Sequence, residues 1–279
     1  MRNIATALLW LLTTICLMVA VPLIWIQLTL VSRAGYVALA QDAGRDPQLQ
    51  AAMAGELGNV LSRYASSAGY SVSPASLSEA AAGYVAKPDF PAQFGAVNGL
   101  NHDWLFTEAA SATTDSSGRP ALDLTPMLSD PSIVSAANSV NVRLPSKVLV
   151  PLGDTVLKPG QLRPAATWGP WLTATACALT VLLAAWSLWS AYSRGRMIAA
   201  LGISILLSGA AGWAAIEVAR PYLNDLLNRT AGNGRRIGDV LAGQAIASAH
   251  QWLNSVLLVG IAVVAFGVLV GMLGGLLRR

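Results

Sequence analysis

Four stretches of this chain contain no Asp, Glu, Lys or Arg: residues 3–32, 164–193, 197–216 and 251–277. Each is 20 residues or longer, and about 20 apolar residues in an α-helix cover the roughly 30 Å hydrocarbon core of a bilayer. A water-soluble globule has no place for so much uninterrupted apolar surface. The chain therefore reads as a multi-pass integral membrane protein, mainly α, with transmembrane helices expected over 4–31, 165–192, 197–216 and 252–277. Charged residues make up 11% of it, against about 25% in soluble domains. The net charge of +4 comes from basic clusters beside the apolar segments, a topology signal and not a nucleic-acid footprint.

Lys and Arg orient the chain, because short cytoplasmic segments keep positive charge while long polar domains are translocated largely regardless of theirs. Arg2, the Arg194/Arg196 turn and the terminal Arg278 and Arg279 mark cytoplasmic ends of a plasma-membrane protein, so both termini are expected inside. Residues 32–164 and 217–250 then lie outside, as an extracytoplasmic domain and an extracytoplasmic helical loop. Residues 33–163 carry nine basic and eleven acidic side chains, and the region is long enough for a small domain with its own core. Trp25, Trp168, Trp171, Trp213 and Trp252 fall near the expected outer ends, and Trp10, Trp186 and Trp189 near the inner ends. Indole rings prefer that interfacial depth. Trp104 belongs to the external domain.

The N-terminal segment reads as a signal anchor. Ala38-Leu39-Ala40 has the small-x-small form of a signal-peptidase site, but the 28-residue apolar segment before it far exceeds the roughly 7–15 residues of a secretory h-region. Cys16 and Cys177 both lie in apolar segments, so neither external region can form a disulfide. Bulky Ile15 stands before Cys16 where lipid attachment needs a small residue, and both thiols read as small packing groups.

The external domain reads as helical in its first half and extended in its second. Asp46-Pro47 and Ser73-Pro74 each place a capping residue before a proline at a helix start. A third helix is expected from Pro91 toward Thr107. Leu122-Asp123-Leu124, residues 140–144 and the β-branched run 148–152 alternate or cluster as strands do, and the prolines among them keep this C-terminal tail extended. Residues 217–250 read as two amphipathic helical pieces joined at Gly232-Asn233-Gly234, which would pack on the external domain.

Gly267, Gly271 and Gly275 recur at every fourth position of the last segment, a spacing that lets a second backbone approach one helix face closely. Ser208 and Gly212 offer a matching strip in the third segment. Packing within the chain is thus the first expectation, and a homo-oligomer through the same glycine face the second. None of the four segments contains an Asp, Glu, Lys, Arg or His, which argues against an ion-coupled transporter or proton relay. Glu217 and Arg220 are expected to pair with each other.

The candidate functional residues lie in segment 88–106. As a helix it places Phe94, Asn98 and His102 on one face, with Phe90 beneath them. A histidine beside an amide can polarise a water or bind a ligand, and with Asp103 or Asp123 it can serve as a general base. The competing reading is a buried histidine satisfied by Asn98 and a backbone carbonyl. Adjacent helical residues point about 100° apart, so His102-Asp103 is no metal motif, and His250 is the only other histidine. No GxSxG, HExxH, CxxC or phosphate-binding glycine loop accompanies them. No catalytic residue, metal or cofactor is assigned.

Phe90, Phe94, Asn98 and His102 at helical spacing, followed by Leu122-Asp123-Leu124-Thr125-Pro126, resemble a family of actinobacterial integral membrane proteins with one helix, an external domain and three further helices. The basic turn at Arg194 and Arg196, and Arg220 with Tyr222-Leu223, are similar too. The resemblance spans nearly the whole chain on short motifs. Phe94 stands where a tryptophan is common, and the external tail is shorter. It implies architecture and an actinobacterial cell-envelope setting, and carries no activity with it.

Two functions follow from these readings. One is a non-enzymatic envelope protein whose external domain binds or positions a partner in envelope assembly. It would touch membrane lipids and a membrane or envelope protein, with Phe90, Phe94, Asn98, His102 and Asp123 as the candidate ligand or partner face. The alternative is a membrane-anchored hydrolase or transferase acting on a lipid or wall precursor, or an extracytoplasmic ligand sensor. A polar cleft at His102 open to water would favour the alternative, and a dry, filled helix interface the binding protein.

Overall fold

Most helix starts in this chain have a local cause. α1 (Arg2–Trp25) passes into a π-helical stretch, Ile26–Val31. Ser32 then breaks the run with an extended backbone and caps α2 (Arg33–Ala43), its hydroxyl accepting from the Gly35 N–H at 3.5 Å. α3 (Pro47–Ser67) and α4 (Pro74–Val85) both open on proline, whose missing N–H costs nothing in a first turn. The Asp46 carboxylate also accepts from the Gln48 N–H at 2.7 Å. α5 (Phe90–Phe106) carries Pro91 in its first turn. β1 (Ala121–Asp123) pairs antiparallel with β2 (Leu149–Pro151), Leu122 opposite Val150, and the short α6 (Thr125–Leu128) follows β1. α7 (Arg163–Ser190), α8 (Arg194–Leu227) and α9 (Gly232–Leu276) complete the chain. This structure, a computed structural model, describes residues 2–67, 69, 71–107, 121–123, 125–128, 130–131, 134–135, 138, 149–151, 160–228 and 232–276. The strand expected over 140–144 lies outside them.

The chain is mainly helical, and four helices are long and apolar enough to cross a membrane: Ala5–Val31, Arg163–Ser190, Arg194–Leu227 and Gly232–Gly274. The last two differ from expectation. The pieces expected as a separate helical loop over 217–250 are the ends of α8 and α9 themselves, and Pro221 sits inside α8 without ending it. Extending a helix that already exists is far cheaper than nucleating a new one. α9 opens on Gly232, where φ of +63° is a left-handed conformation glycine adopts freely. α2 has no counterpart among the expected elements, and Leu39 and Ala40 of the Ala38-Leu39-Ala40 triplet are buried in it.

The chain divides into two units. The first comprises Met1–Leu28, Thr167–Tyr222 and Ile246–Arg279, and the second Thr29–Ala166 and Leu223–Ala245. In the second unit α3 packs on α4 and α2 on α5, around a core that includes Leu49, Leu57, Tyr84, Phe90 and Met127, all fully enclosed. Ile237, Val240 and Leu241, from the start of α9, pack against this core. A Cβ on Gly55 would stand 2.9 Å from the Asn233 amide nitrogen, so glycine there lets α9 approach α3.

In the membrane-spanning unit α8 and α9 meet backbone to backbone. A Cβ on Gly202 would lie 2.6 Å from Val264 N, one on Gly195 2.5 Å from Gly271 Cα, and one on Gly267 2.9 Å from the Gly195 carbonyl. The strip opposite Gly267 and Gly271 is therefore Gly195 and Ala199, and Gly202 faces Val264 and Gly260. The expected Ser208 and Gly212 do not supply it: Gly212 meets Leu253, and neighbouring Gly209 meets Leu257. The antiparallel hairpin decides this, since it sets the end of α9 against the beginning of α8. α1 is tied in by hydrogen bonds from Trp10 Nε1 to the Ala200 carbonyl (2.9 Å), between Thr14 and Ser204 hydroxyls (2.8 Å), and from Trp252 Nε1 to the Val21 carbonyl (3.1 Å). Glu217 and Arg220 pair at 2.9 Å. On α7, by contrast, Trp168, Trp171, Trp186 and Trp189 are 60–86% exposed within the chain.

Candidate functional site at His102

α5 draws the candidate residues Phe90, Phe94, Asn98 and His102 into the interior of the second unit. Their exposures are 0%, 4%, 8% and 4%. Phe90 meets Tyr84 edge-on at 5.7 Å and stacks on Phe94 at 5.9 Å. The Asn98 amide nitrogen donates to the Phe94 carbonyl one turn back, at 2.9 Å. The face expected to meet a ligand or partner is thus filled by the unit's own side chains. Asp123 lies in β1, its backbone opposite Leu149, and its side chain is outside the described residues.

The His102 ring is fixed from several sides. Nε2 stands 2.9 Å from the Val31 carbonyl oxygen. A carbonyl can only accept, so this bond assigns a proton to Nε2, and in the neutral ring Nδ1 then carries the lone pair. Phe106 stacks on the ring at 4.4 Å and 17°, and Tyr36 lies tilted against it at 5.3 Å. Burial raises the Tyr36 phenol above its usual value of 10.0. Asn98 is not the partner the sequence suggested, because its amide is committed to Phe94. The bond to Val31 has a local reason: a helix end leaves carbonyls without intrahelical donors, and Val31 closes the π-helical stretch.

Nδ1 is buried with no hydrogen-bond partner. The nearest carboxylate oxygen, Asp103 Oδ1, is 3.7 Å away, beyond hydrogen-bond range. That carboxylate is held instead by Arg33, whose Nε donates to both oxygens at 3.1 and 3.0 Å. Close contact between α2 and α5 here depends on Gly99, where a Cβ would meet Arg33 Nη2 and Val37 Cγ2, both at 3.0 Å.

A second polar cluster escaped the sequence. Asp130 is buried and accepts from Lys87 Nζ at 2.6 Å and from Gln93 Nε2 at 3.2 Å. Tyr84 donates its hydroxyl to the Gln93 side-chain oxygen. Burial, and then the Asp130 charge, push the Tyr84 phenol well above its ordinary range. Asp130 stands before Pro131 and reads as a turn residue in sequence. Only the fold carries it to Lys87 and Gln93. The other histidine, His250, is in the membrane-spanning unit, stacked on Trp213 at 3.7 Å. Among the described residues no group of three or more His, Cys, Asp or Glu is placed to hold a metal ion. No family model, curated protein or solved structure matches the chain.

Proposed function

We propose that this is a non-enzymatic protein of the cell envelope, whose second unit lies outside the plasma membrane and binds or positions a partner in envelope assembly. Its termini face the cytoplasm, as the placement of Arg2, Arg194, Arg196, Arg278 and Arg279 favours. The observation that carries the reading is the His102 ring, enclosed between Phe106 and Tyr36 and bonded to the Val31 carbonyl. A ring so committed joins α5 to the end of the π-helical stretch at Val31 and to Tyr36 of α2, and keeps the unit's shape. The partner is then met by exposed groups around it, of which the Arg33–Asp103 pair is the nearest. Mild-detergent purification from the native membrane, followed by mass spectrometry, tests this. A stoichiometric partner is expected with the intact chain and is lost when His102→Ala loosens the unit. Recovery of the protein with neither a partner nor a second copy of itself would end the proposal.

One observation favours a second reading, a hydrolase or transferase acting on a lipid or wall precursor. His102 Nδ1 is unpartnered, lies near Asp103, and in the neutral ring carries the lone pair when Nε2 donates to Val31. A general base needs such a lone pair, although here it is enclosed. A His102→Gln chain that folds normally yet alters envelope lipid or wall composition would favour this reading over the first.

A further inference from the structure

The membrane-spanning unit holds a charge problem that its own residues do not solve. Across Met1–Leu28, Thr167–Tyr222 and Ile246–Arg279 there is one acidic residue, Glu217, against six arginines. Glu217 is taken by Arg220. Arg194 and Arg196, in the turn between α7 and α8, are exposed and have no ion-pair or hydrogen-bond partner among the described residues. They are not scattered surface charges. Two recesses adjoin at this turn, one of about 830 Å³ running beside Gly267, Val268 and Met272 of α9, the other of about 650 Å³ beside Trp10 of α1. Both are lined by Tyr192, Ser193 and Arg196, and Arg194 lines the larger. Each is within the roughly 300–1,000 Å³ of typical ligand sites.

The depth of this turn is set by its neighbours. Trp186, Trp189 and Tyr192 around it are 60–86% exposed, and aromatic side chains of this kind gather where hydrocarbon gives way to headgroups. A site here meets anionic phosphate at one level and acyl chain immediately below. Guanidinium groups match phosphate oxygens in geometry as well as charge. Basic pockets between transmembrane helices are a recurrent way of holding anionic headgroups.

We infer that the two recesses hold one anionic phospholipid, its phosphate bound by Arg194 and Arg196 and its chains lying one in each recess. Ser193 and Tyr192 supply hydroxyls to the phosphodiester. Val268 and Met272 form the apolar wall of the larger recess, and Trp10 that of the smaller. The glycine strip has a second use in this arrangement. Gly267 and Gly271 admit the α8 backbone, and the same absence of side chains opens the larger recess beside it. The inference does not depend on what the other unit binds.

The test is native mass spectrometry of the full chain in mild detergent, titrated separately with phosphatidylglycerol and with phosphatidylcholine of the same chains. Wild type should retain one phosphatidylglycerol about thirtyfold better, the fold-change expected for two arginines beside an anionic lipid. Arg194→Gln with Arg196→Gln should reduce that preference to within about twofold, while Arg220→Gln should leave it intact. Equal retention of the two lipids by wild type, or a preference that survives the double substitution, overturns the inference. So does displacement of bound lipid by millimolar inorganic phosphate, which would mark a site for free phosphate. Should the double variant not fold, the single Arg196→Gln chain replaces it, and the wild-type ratio by itself still decides.

Discussion

The two units of this protein are held together by opposite means. The second unit is built on large side chains, with Phe90, Leu49, Leu57, Tyr84 and Met127 shut away from solvent. The membrane-spanning unit is built on what is missing, the side chains of Gly195, Gly202 and Gly267, and on indole and hydroxyl hydrogen bonds between helices. The solvent explains the contrast. In water, burying apolar surface is itself the driving force. In lipid a leucine gains little by leaving one hydrocarbon environment for another, so helices associate through close backbone approach and polar contacts.

The contrast breaks if the two units respond alike to the same kind of change. Phe90→Ala should have the largest effect, about 3–5 kcal/mol for a fully buried aromatic. Hydrogen exchange on the full chain should then show protection lost across α2–α5 and retained in the parts of α8 and α9 that belong to the membrane-spanning unit, up to Tyr222 and from Ile246. Simultaneous loss in both would show one cooperative unit where two are described. Gly202→Val should cost about 1–3 kcal/mol, because the added carbons meet the Val264 and Gly260 backbone, which cannot rotate away. SDS titration should report it, with Gly274→Ala, which meets nothing within 4 Å, as the near-neutral control. His102→Phe keeps the ring stack but orphans the Val31 carbonyl, and about 1–3 kcal/mol of loss is expected in a denaturant melt of the second unit. A neutral result would mean that the His102–Val31 bond does not stabilise the unit.

Alkaline pH sharpens the comparison from another side. Tyr84 and Tyr36 hold their protons more tightly when folded than at the usual 10.0, so above that value the folded state binds more protons than the unfolded one. Their stabilisation is complete below about pH 10 and declines as pH rises beyond it. Circular dichroism between pH 9 and 12 should show the second unit loosening, and Tyr84→Phe should flatten the dependence. A pH-independent signal over that range would contradict both phenol shifts. The smallest effect is expected from Arg33→Gln. The Arg33–Asp103 pair is more than a third solvent-exposed, and such pairs contribute about 0–1 kcal/mol. A larger loss in thermal stability would mean that Asp103, once released, disturbs the buried His102.

Much of the architecture was legible in the residues, and the reason differs from place to place. The apolar segments announce themselves because a bilayer imposes length and excludes charge. The starts of α3 and α4 are legible because proline and a capping side chain act locally. The site was legible only as spacing: Phe90, Phe94, Asn98 and His102 share a helix face, but spacing does not say whether that face looks outward or inward. The structure turns it inward and gives His102 a partner, Val31, far away in sequence. Asp130 with Lys87 was hidden for the same reason.

Sequence alone determined that the chain enters a membrane, where its apolar helices run and which residues punctuate them, because these follow from the chemistry of each segment against its solvent. Tertiary structure alone decided that Gly267 faces Ala199 and Gly195, that α8 and α9 extend into the second unit, and that His102 closes on a backbone carbonyl. Such choices depend on groups distant in sequence meeting in space, and the register of those meetings is a property of the packed whole.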